Sequence, residues 1–555
     1  MRYAEVAVDA QWTQQRTFSY SIPEDLSLQV AHSVWVPFGR RVLQGIIFDI
    51  TPTPSVEETK EIISVIDPSP LLTPAQLELA RWIARHYRAP LFDATALMLP
   101  PGFRRRVLTF VSLRDGPAVG EPSPAQEKVL EYVQGGGSVE LGAVKRALGA
   151  RAAAAAEQLC RKGVLSREWR WARSKVGPKY AAAVRLAIPR DQAASRLKVL
   201  EKGRAHRQAA LIDALLQQEG PIFAPYLREA GISLSTAKAL EARGLVAVEQ
   251  VRVHRDPLGF KRFTPSSPPN LTPHQQEAWK VIRRALNAQP AGEVQEGKAK
   301  CFLLHGVTGS GKTELYLRAL GEVVSQGKRG LVLVPEISLT PQTIDRFGAR
   351  FPNRVAVLHS KLSLGEQYDE WWRIKEGEFD VVIGSRSAIF APQPDLGLIV
   401  VDEEHDPAYK QADPSPRYHA REVALKLAEG TGAVVVLGSA TPDIASYYRS
   451  TLGEFQRLEL PKRIVTNGGP AAPGHHPNAV EAKEEAHLPR VDIVDLRLEL
   501  REGNRSIFSR ALAEAMTTAL DAQEQVILFL NRRGSATFVQ CLSCGHALRC
   551  RRCDV

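Results

Sequence analysis

One glycine-rich segment has the spacing of a loop that binds phosphate groups. Residues 306–313 fit the pattern G-x-x-x-x-G-K-T, and they lie between the apolar run FLLH and the helical pattern TELYLRAL. Glycines in this context let backbone N–H groups close on a β-phosphate, and the helix N-terminus adds positive potential. We expect Lys312 to reach the β- and γ-phosphates and the Thr313 hydroxyl to bind Mg²⁺. The spacing predicts an ATP site whose remaining phosphate-binding residues are Gly306, Thr308, Gly309, Ser310 and Gly311.

Two adjacent acidic residues follow a second apolar run, in the segment LIVVDEEH. Ligands in open α/β sheets bind at the carboxyl ends of strands. We therefore expect Asp402 to hold Mg²⁺ through water and Glu403 to orient and polarise the attacking water. Adjacent acids at a strand end also occur as solvated turns. The phosphate-binding pattern about ninety residues upstream favours the catalytic interpretation.

Smaller polar signals flank these two motifs. Small hydroxylated residues follow the apolar run VVVL and are expected to link the nucleotide site to a neighbouring lobe. Gln275 precedes the first core helix, and its amide offers both the donor and the acceptor that pairing with adenine requires. The residues predicted to couple the site to its surroundings are His405, Ser439, Ala440 and Thr441.

The hydrophobic pattern predicts a multidomain α/β protein, since 555 residues are too many for one core. Short strands separated by polar breaks predict a β-rich N-terminal domain, and alternating apolar runs and helical stretches predict a parallel-sheet P-loop lobe of the RecA type. Two segments have the helix–helix–hairpin order of a winged helix. The predicted regions are 1–110 (β-rich), 125–175 (winged-helix-like), 176–205 (basic connector), 206–255 (second winged-helix-like), 271–453 (P-loop lobe), 454–487 (linker and insertion) and 488–555 (the start of a second lobe).

Positive charge is concentrated in one stretch of the chain. The net charge is +11, and residues 161–207 contain fourteen Lys/Arg against three Asp/Glu, which again gives +11. A lone charge run is usually a solubilising surface. Here Trp169, Trp171 and Tyr180 interleave the run, and this combination favours contact with nucleic acid. No apolar run is long enough to span a bilayer and the N-terminus lacks a signal-peptide pattern, so a cytoplasmic, nucleoid-associated protein is expected.

Four of the six cysteines fall within the last fifteen residues. They form two C-x-x-C pairs, and four thiolates are enough to close one tetrahedral Zn²⁺ site. Such a site near a chain end is subject to fraying. The predicted Zn²⁺ ligands are Cys541, Cys544, Cys550 and Cys553.

The phosphate loop, DEEH and SAT resemble, in their order and spacing, the motifs of superfamily 2 helicases. Several longer segments resemble the PriA family of replication restart helicases, and the likeness extends over nearly the whole chain. These segments are VDEEHDPAYKQADPSPRYHARE (401–422), LVPEISLTPQT (333–343), IGSRSAIFAP (383–392), LREGNRSIFS (500–509) and VILFLNRRG (526–534).

The resemblance implies roles for further residues. Tyr409, Arg417 and Tyr418 would couple single-stranded DNA to ATP hydrolysis, with the tyrosines stacking on bases at about 1–3 kcal/mol each. Arg386 would lie on the DNA track. RTFSY, VPFGRR and TKEI resemble the family's domain that holds the 3′ end of a nascent strand.

In that N-terminal domain, one position departs from the family. Ser19 stands where the best-known members have Asp, and a hydroxyl binds a base edge or a 3′-OH more weakly than a carboxylate does. Phe18 and Tyr20 are equally well explained by strand packing. The matching DNA-binding residues are Phe18, Tyr20, Gly39 and Lys60.

The resemblance also implies an activity and partners. Family members recognise stalled or repaired forks in DNA replication, repair and recombination, start primosome assembly, and unwind DNA in the 3′→5′ direction with ATP and Mg²⁺. The implied partners are forked and single-stranded DNA, single-strand DNA-binding protein, primosome proteins, and the replicative helicase with its loader. Eight cysteines bind two Zn²⁺ ions in the family, and this sequence contains the first four.

Motifs resembling TQM-x-KG and QVAGRAGR, which follow the cysteines in the family, are not in this sequence. Either a truncated helicase or a fork-binding scaffold that does not unwind DNA is therefore expected. A third alternative is another superfamily 2 translocase with a zinc module, against which the PRYHAR loop and the RTFSY/VPFG domain argue.

Overall fold

The structure is a computed structural model that describes residues 2–10, 15–39, 41–104, 107–114, 122–171, 176–203, 205–259, 261–288, 300–465, 483–485 and 490–529. The chain divides into two units, Met1–Ala486 and His487–Val555. Among the described residues, no helix combines the length and apolar character needed to cross a bilayer.

The first unit begins with the predicted β-rich domain, a sheet in the order β5-β2-β1-β4-β3-β6. Thr73 caps its first helix with a reciprocal bond to Gln76, and the apolar face of that helix packs on the sheet. The elements are β1 (Tyr3–Val8), β2 (Phe18–Ser21), β3 (Ser33–Phe38), β4 (Arg41–Thr51), β5 (Lys60–Glu61), β6 (Ser64–Val65), α1 (Pro74–His86) and α2 (Leu91–Ala96).

Two small units follow, each with a three-stranded sheet packed on helices. The first comprises β7 (Val107–Leu113), α3 (Pro124–Gly136), β8 (Ser138–Glu140), α4 (Leu141–Leu148), α5 (Ala150–Arg161) and β9 (Leu165–Trp171). The second comprises β10 (Lys179–Leu186), α6 (Arg190–Lys202), α7 (His206–Gln217), β11 (Ile222–Phe223), α8 (Ala224–Glu229), α9 (Leu234–Glu241) and β12 (Val246–Val253). The winged-helix assignment stays a prediction. The stretch expected to be a basic connector instead supplies β10, the central strand of the second sheet, because Ala183 and Val184 are buried in its core.

The predicted parallel-sheet lobe is present, with strands in the order β15-β16-β14-β17-β18-β13-β19. Successive apolar residues of a strand enter different cores, as Phe302 and Leu303 do, because helices cover both faces. Its elements are α10 (Pro273–Asn287), β13 (Cys301–Gly306), α11 (Lys312–Ser325), β14 (Arg329–Leu333), α12 (Pro341–Arg350), β15 (Val355–Leu358), α13 (Leu364–Lys375), β16 (Val381–Gly384), β17 (Leu396–Val401), α14 (Ala420–Thr431), β18 (Val434–Ser439), α15 (Ile444–Thr451) and β19 (Gln456–Leu460), with single 3₁₀ turns at Glu336–Ser338, Arg386–Phe390 and Pro407–Tyr409.

The lobe extends past its expected boundary at residue 453. β19 pairs in parallel with β13, and only Leu458 and Leu460 of its five residues are buried. This edge strand lacks the continuous apolar run that identified the others. Beyond it, β20 (Arg463–Val465) and β21 (Lys483–Glu485) form an antiparallel pair. The remainder of the expected insertion lies outside the described residues.

The N-terminal domain and the lobe share one continuous apolar core. Helix α1 packs against α14. On α13, the Trp371 indole donates to the Met98 carbonyl at 3.2 Å and the Lys375 amine donates to the Pro70 carbonyl at 2.6 Å. The N-terminal domain is therefore fixed to the lobe through two separate helices.

The C-terminal unit, His487–Val555, contains α16 (Leu496–Arg501) and α17 (Arg510–Asp521). The apolar runs that resemble strands near residues 491 and 526 are irregular where they are described, and Ile493 and Ile527 are 94% and 93% exposed. Strands need hydrogen-bonded neighbours, and the described residues of this unit include none.

Candidate functional site

The phosphate loop joins β13 to α11. Gly309 and Gly311 have φ of +83° and +81°, a region that favours glycine. A Cβ at Gly311 would lie 2.3 Å from the Gln275 amide nitrogen. The local sequence therefore folds into a tight turn whose backbone approaches its neighbours closely.

The side chains of this turn suit a phosphate group. Lys312 is buried, and its amine donates to the Gly306 carbonyl at 2.8 Å. The Ser310 hydroxyl is buried and has no hydrogen-bond partner. Thr313 is half-buried in the first turn of α11, whereas Thr308 is exposed. A buried cation and a buried hydroxyl without a partner fit the triphosphate and Mg²⁺ that the motif predicts.

Gln275 braces the loop from α10. Its amide oxygen accepts from the Thr272 backbone N–H at 3.0 Å, and its amide nitrogen donates to the Ser310 carbonyl at 2.9 Å. Its side chain is 2% exposed. Both the oxygen and the nitrogen of the Gln275 amide are therefore bonded within the protein. Pairing with adenine stays a prediction, and it would require these two hydrogen bonds to break.

The acidic pair lies two strands away from the loop. Asp402 follows β17, and β18 lies between β17 and β13. The Tyr316 hydroxyl, one turn beyond Lys312 on α11, donates to Asp402 Oδ1 at 2.9 Å. Burial raises the pKa of the Asp402 carboxyl, and the bond from Tyr316 opposes that rise. Glu403 takes a φ of +45°, so the chain turns sharply after the metal-binding candidate.

The residues predicted to couple the site are joined to each other. His405 Nδ1 lies 2.7 Å from the Ser439 hydroxyl and 3.7 Å from Glu403 Oε2. The Ser439 hydroxyl also accepts from the Thr441 N–H at 3.0 Å, and Ala440 lies between them. The ends of β17 and β18 are therefore linked by side chains beside the phosphate loop.

A buried ion pair next to the acidic motif has no counterpart among the residues predicted from the sequence. Glu404 is fully buried and accepts from Arg421 Nη1 at 2.7 Å. It also accepts from the Ser446 hydroxyl at 2.8 Å and from the Asp443 N–H at 2.7 Å. The pair ties the acidic motif to α14 and α15. Arg421 lies seventeen residues after Glu404 in the sequence, and no local pattern indicates that the two side chains meet.

Residues 406–419 form a closed loop after the acidic motif, which we call the 406–419 loop. Lys410 and His419 form an antiparallel bridge across its base. Tyr409 and Tyr418 are each 1% exposed, because they face the core that the lobe shares with the N-terminal domain. The expectation that these rings stack on bases is therefore not met in this conformation.

Two arginines of the expected DNA track differ in their surroundings. Arg386 Nη1 donates to the Lys410 carbonyl at 2.9 Å, so this guanidinium supports the 406–419 loop from within. Arg417 is 69% exposed at the loop surface. Arg417 lies 3.9 Å from the exposed Asp413 carboxylate and is open to solvent, whereas Arg386 binds the protein backbone.

The expected 3′-end residues lie together on the N-terminal sheet. Phe18 packs edge-on against Phe38 with ring centroids 5.2 Å apart, and exposed Gly39 follows Phe38. Tyr20 is a register partner of exposed Lys60. Tyr20 itself is 4% exposed, and burial raises its pKa to about 12. Packing within the domain therefore accounts for an aromatic residue at this position.

Ser19 is committed to protein contacts. It is 7% exposed, its hydroxyl lies 2.6 Å from that of Ser55, and it donates to the carboxylate of Glu5. The same carboxylate accepts from the Thr17 hydroxyl at 2.8 Å. Ser19 is therefore not free to bind a base edge in this conformation.

The predicted zinc ligands, Cys541 to Cys553, lie outside the described residues, as do the side chains of Trp169 and Trp171. Over the part of the chain that is described, no cluster of His, Cys, Asp and Glu is arranged to hold a metal ion. Tyr180 in the basic stretch is 58% exposed.

Replacing Gly438 with Ala is expected to disturb the acidic site. The added Cβ would lie 1.6 Å from the Tyr316 hydroxyl oxygen, so Tyr316 must leave Asp402. We expect a loss of about 1–3 kcal/mol in stability and weaker Mg²⁺-nucleotide binding, measured by thermal unfolding and titration. Gly321→Ala on α11 is the control, since nothing lies within 4 Å of its Cβ. Identical behaviour of the two variants would contradict this assignment.

Two known protein families match the N-terminal domain and the P-loop lobe. Residues 5–100 match the PriA 3′-DNA-binding domain family, and residues 272–449 match the DEAD/DEAH box helicase family. The solved structure of RecG bound to a three-way DNA junction covers 35% of this chain and 24% of its own, at 22% identity and a TM-score of 0.26, an overlap too small to support a conclusion.

Curated relatives align with the whole chain. The replication restart protein PriA of Bacillus subtilis is 35% identical over 100% of this chain, and that of Synechocystis is 38% identical over 100% of it. The chain spans 65% and 64% of the lengths of these two relatives. All of its residues align with these proteins and residues 5–100 match a PriA domain family, so the chain is similar over its whole length to the replication restart proteins PriA.

Proposed function

We propose that the chain binds replication forks, hydrolyses ATP when DNA is bound, and acts in replication restart in the cytoplasm at the nucleoid. The observation that carries the proposal is the convergence of the phosphate loop, Asp402 and Ser439 at the carboxyl ends of three neighbouring parallel strands. The match to a 3′-DNA-binding domain supports fork recognition. For the relatives of greater length that align with the chain, the corresponding proposal is 3′→5′ unwinding, primosome assembly and loading of the replicative helicase by its loader, with single-strand DNA-binding protein as a partner.

In this proposal each residue of the site has a separate task. Backbone N–H groups of the phosphate loop hold the β-phosphate, and Lys312 exchanges its bond to the Gly306 carbonyl for the γ-phosphate. Mg²⁺, when bound, neutralises charge that develops on the phosphates. Thr313, and Asp402 through water, would hold that ion, and the hydrogen bond from Tyr316 orients the Asp402 carboxylate. Glu403 orients the attacking water.

We propose that the small units at 107–171 and 179–253 are winged helices that contact duplex DNA. The basic stretch runs through both, and its exposed lysines include Lys179, Lys198 and Lys202. We further propose that the four C-terminal cysteines bind Zn²⁺, a proposal that rests on their spacing alone.

Binding to a forked DNA is expected to weaken steeply with salt. Neutralised phosphates release counterions, so the logarithm of the binding constant falls by about 0.9 per neutralised phosphate for each unit of log salt concentration. Replacing Lys179, Lys198 and Lys202 together with Gln should make the slope shallower by about 0.9 for each phosphate group that these lysines neutralise. Fluorescence anisotropy with a labelled fork at several salt concentrations measures both slopes.

The matched control replaces three exposed lysines of the P-loop lobe, Lys280, Lys300 and Lys328, with Gln. The control should leave the slope unchanged, although it removes the same net charge. Equal slopes for the two triple variants would remove the basic stretch from the DNA interface. Salt-independent binding of the unmodified chain would contradict the proposed fork contact.

A further inference from the structure

One residue of the N-terminal domain contacts both residues that close the 406–419 loop. The hydroxyl of Tyr87, at the end of α1, accepts a hydrogen bond from the backbone N–H of His419 at 3.1 Å. The Lys410 amine lies over the Tyr87 ring, 5.2 Å from its centroid. Lys410 and His419 are the bridge partners at the base of the loop. A movement of Tyr87 therefore acts on both arms of the loop at once.

The base of the loop also contacts the candidate nucleotide site. The Tyr409 hydroxyl donates to the Asp402 backbone carbonyl at 2.6 Å, and Tyr409 is adjacent to Lys410. Asp402 is the residue that the proposed function assigns to Mg²⁺. The positions of Lys410 and of the metal-binding carboxylate are thus linked by one buried side chain.

The N-terminal sheet is connected to Tyr87 as well. The Gln15 side chain, just before β2, donates to the Ala84 carbonyl in the last turn of α1 at 3.0 Å. Ala84 precedes Tyr87 by three residues and is buried in the core that also contains Ala7 of β1. This hydrogen bond and the short segment after Gln15 therefore connect β2, which carries Phe18, to the last turn of α1, which Tyr87 follows.

We propose that Tyr87 is a positioning residue through which a DNA 3′ end bound on the N-terminal sheet alters the binding of Mg²⁺-ATP at Asp402. This inference rests on the proposed function, since it needs both ligands to bind. Coupling between two sites is reciprocal, so nucleotide must change the affinity for the 3′ end by the same factor. Coupling energies of this kind are typically worth about 5- to 150-fold.

The experiment measures this factor directly. The dissociation constant of a fluorescent ATP analogue with Mg²⁺ is determined for the full 555-residue chain, with and without a saturating trinucleotide that ends in a free 3′-OH. We expect at least about a fivefold change in the unmodified chain. The same trinucleotide with a 3′-phosphate shows whether the effect requires a free 3′ end.

Tyr87→Phe removes only the bond to His419 and keeps the ring beneath Lys410. We expect the coupling factor to fall towards one, while the affinity for each ligand alone stays within about twofold. Tyr226→Phe, a change at a tyrosine that is 65% exposed in the second small unit, is the matched control and should retain the full factor. If Tyr87 had only a structural role, Tyr87→Phe would change the unfolding temperature or the affinity for each ligand alone. The coupling factor would then stay unchanged.

Each outcome has one meaning. A factor of one in the unmodified chain, or an unchanged factor in Tyr87→Phe, would overturn the coupling proposal even though both ligands bind. A chain that fails to bind either the nucleotide or the trinucleotide would instead refute the proposed function.

Discussion

Replacing Lys312 with Ala is expected to reduce ATP hydrolysis by on the order of 100- to 1,000-fold, the loss typical of removing one group that stabilises transition-state charge. Lys312 is the buried cation of the phosphate loop, and its amine is held by the Gly306 carbonyl within reach of the turn. Ala keeps the helix but leaves the γ-phosphate without a counter-charge. Phosphate release in the presence of Mg²⁺ and a DNA fork is the measurement.

Lys280→Ala is the matched control, because Lys280 is an exposed lysine on the neighbouring helix α10. The control should retain the full rate and the same unfolding temperature. Equal rates in Lys312→Ala and the unmodified chain would mean that the phosphate loop is not the catalytic nucleotide site.

Replacing Arg421 with Ala is expected to destabilise the P-loop lobe by about 3–5 kcal/mol, because it leaves a buried carboxylate uncompensated. Glu404 is fully buried, and Arg421 is the cation 2.7 Å from it. The Ser446 hydroxyl and the Asp443 N–H also bind Glu404, but they carry no charge to offset it. The shift of the unfolding transition in urea measures the loss.

The control for this change is Arg417→Ala. Arg417 is 69% exposed on the same segment, and such surface substitutions alter stability by less than about 0.5 kcal/mol. Adding Glu404→Leu to Arg421→Ala should recover part of the loss, since the buried charge is then removed. If Arg421→Ala and Arg417→Ala unfold at the same urea concentration, the buried pair does not support the acidic motif.

The parallel-sheet lobe was predictable because its buried strands are continuous apolar runs such as LIVV before Asp402. The phosphate loop was predictable for a related reason, since its glycines, its preceding strand and its following helix are all neighbours in the chain. The edge strand β19 was not predictable, because only alternate residues of an edge strand are buried and its five residues include two leucines.

The contacts that position the site were not predictable from local pattern. Glu404 meets Arg421 only because the 406–419 loop folds back, and Tyr87 reaches His419 across 332 positions of sequence. The burial of Tyr409 and Tyr418 has the same origin. The resemblance to the PriA family implies tyrosines that stack on bases, but the docked N-terminal domain makes them part of a core.

The most direct test of the central claim is the rate of ATP hydrolysis by the 555-residue chain, measured with and without a DNA fork that has a free nascent 3′ end. We expect Mg²⁺-dependent hydrolysis that the fork accelerates and that Lys312→Ala lowers by on the order of 100- to 1,000-fold. A rate that is the same with and without DNA would contradict the account, as would an unchanged rate in Lys312→Ala.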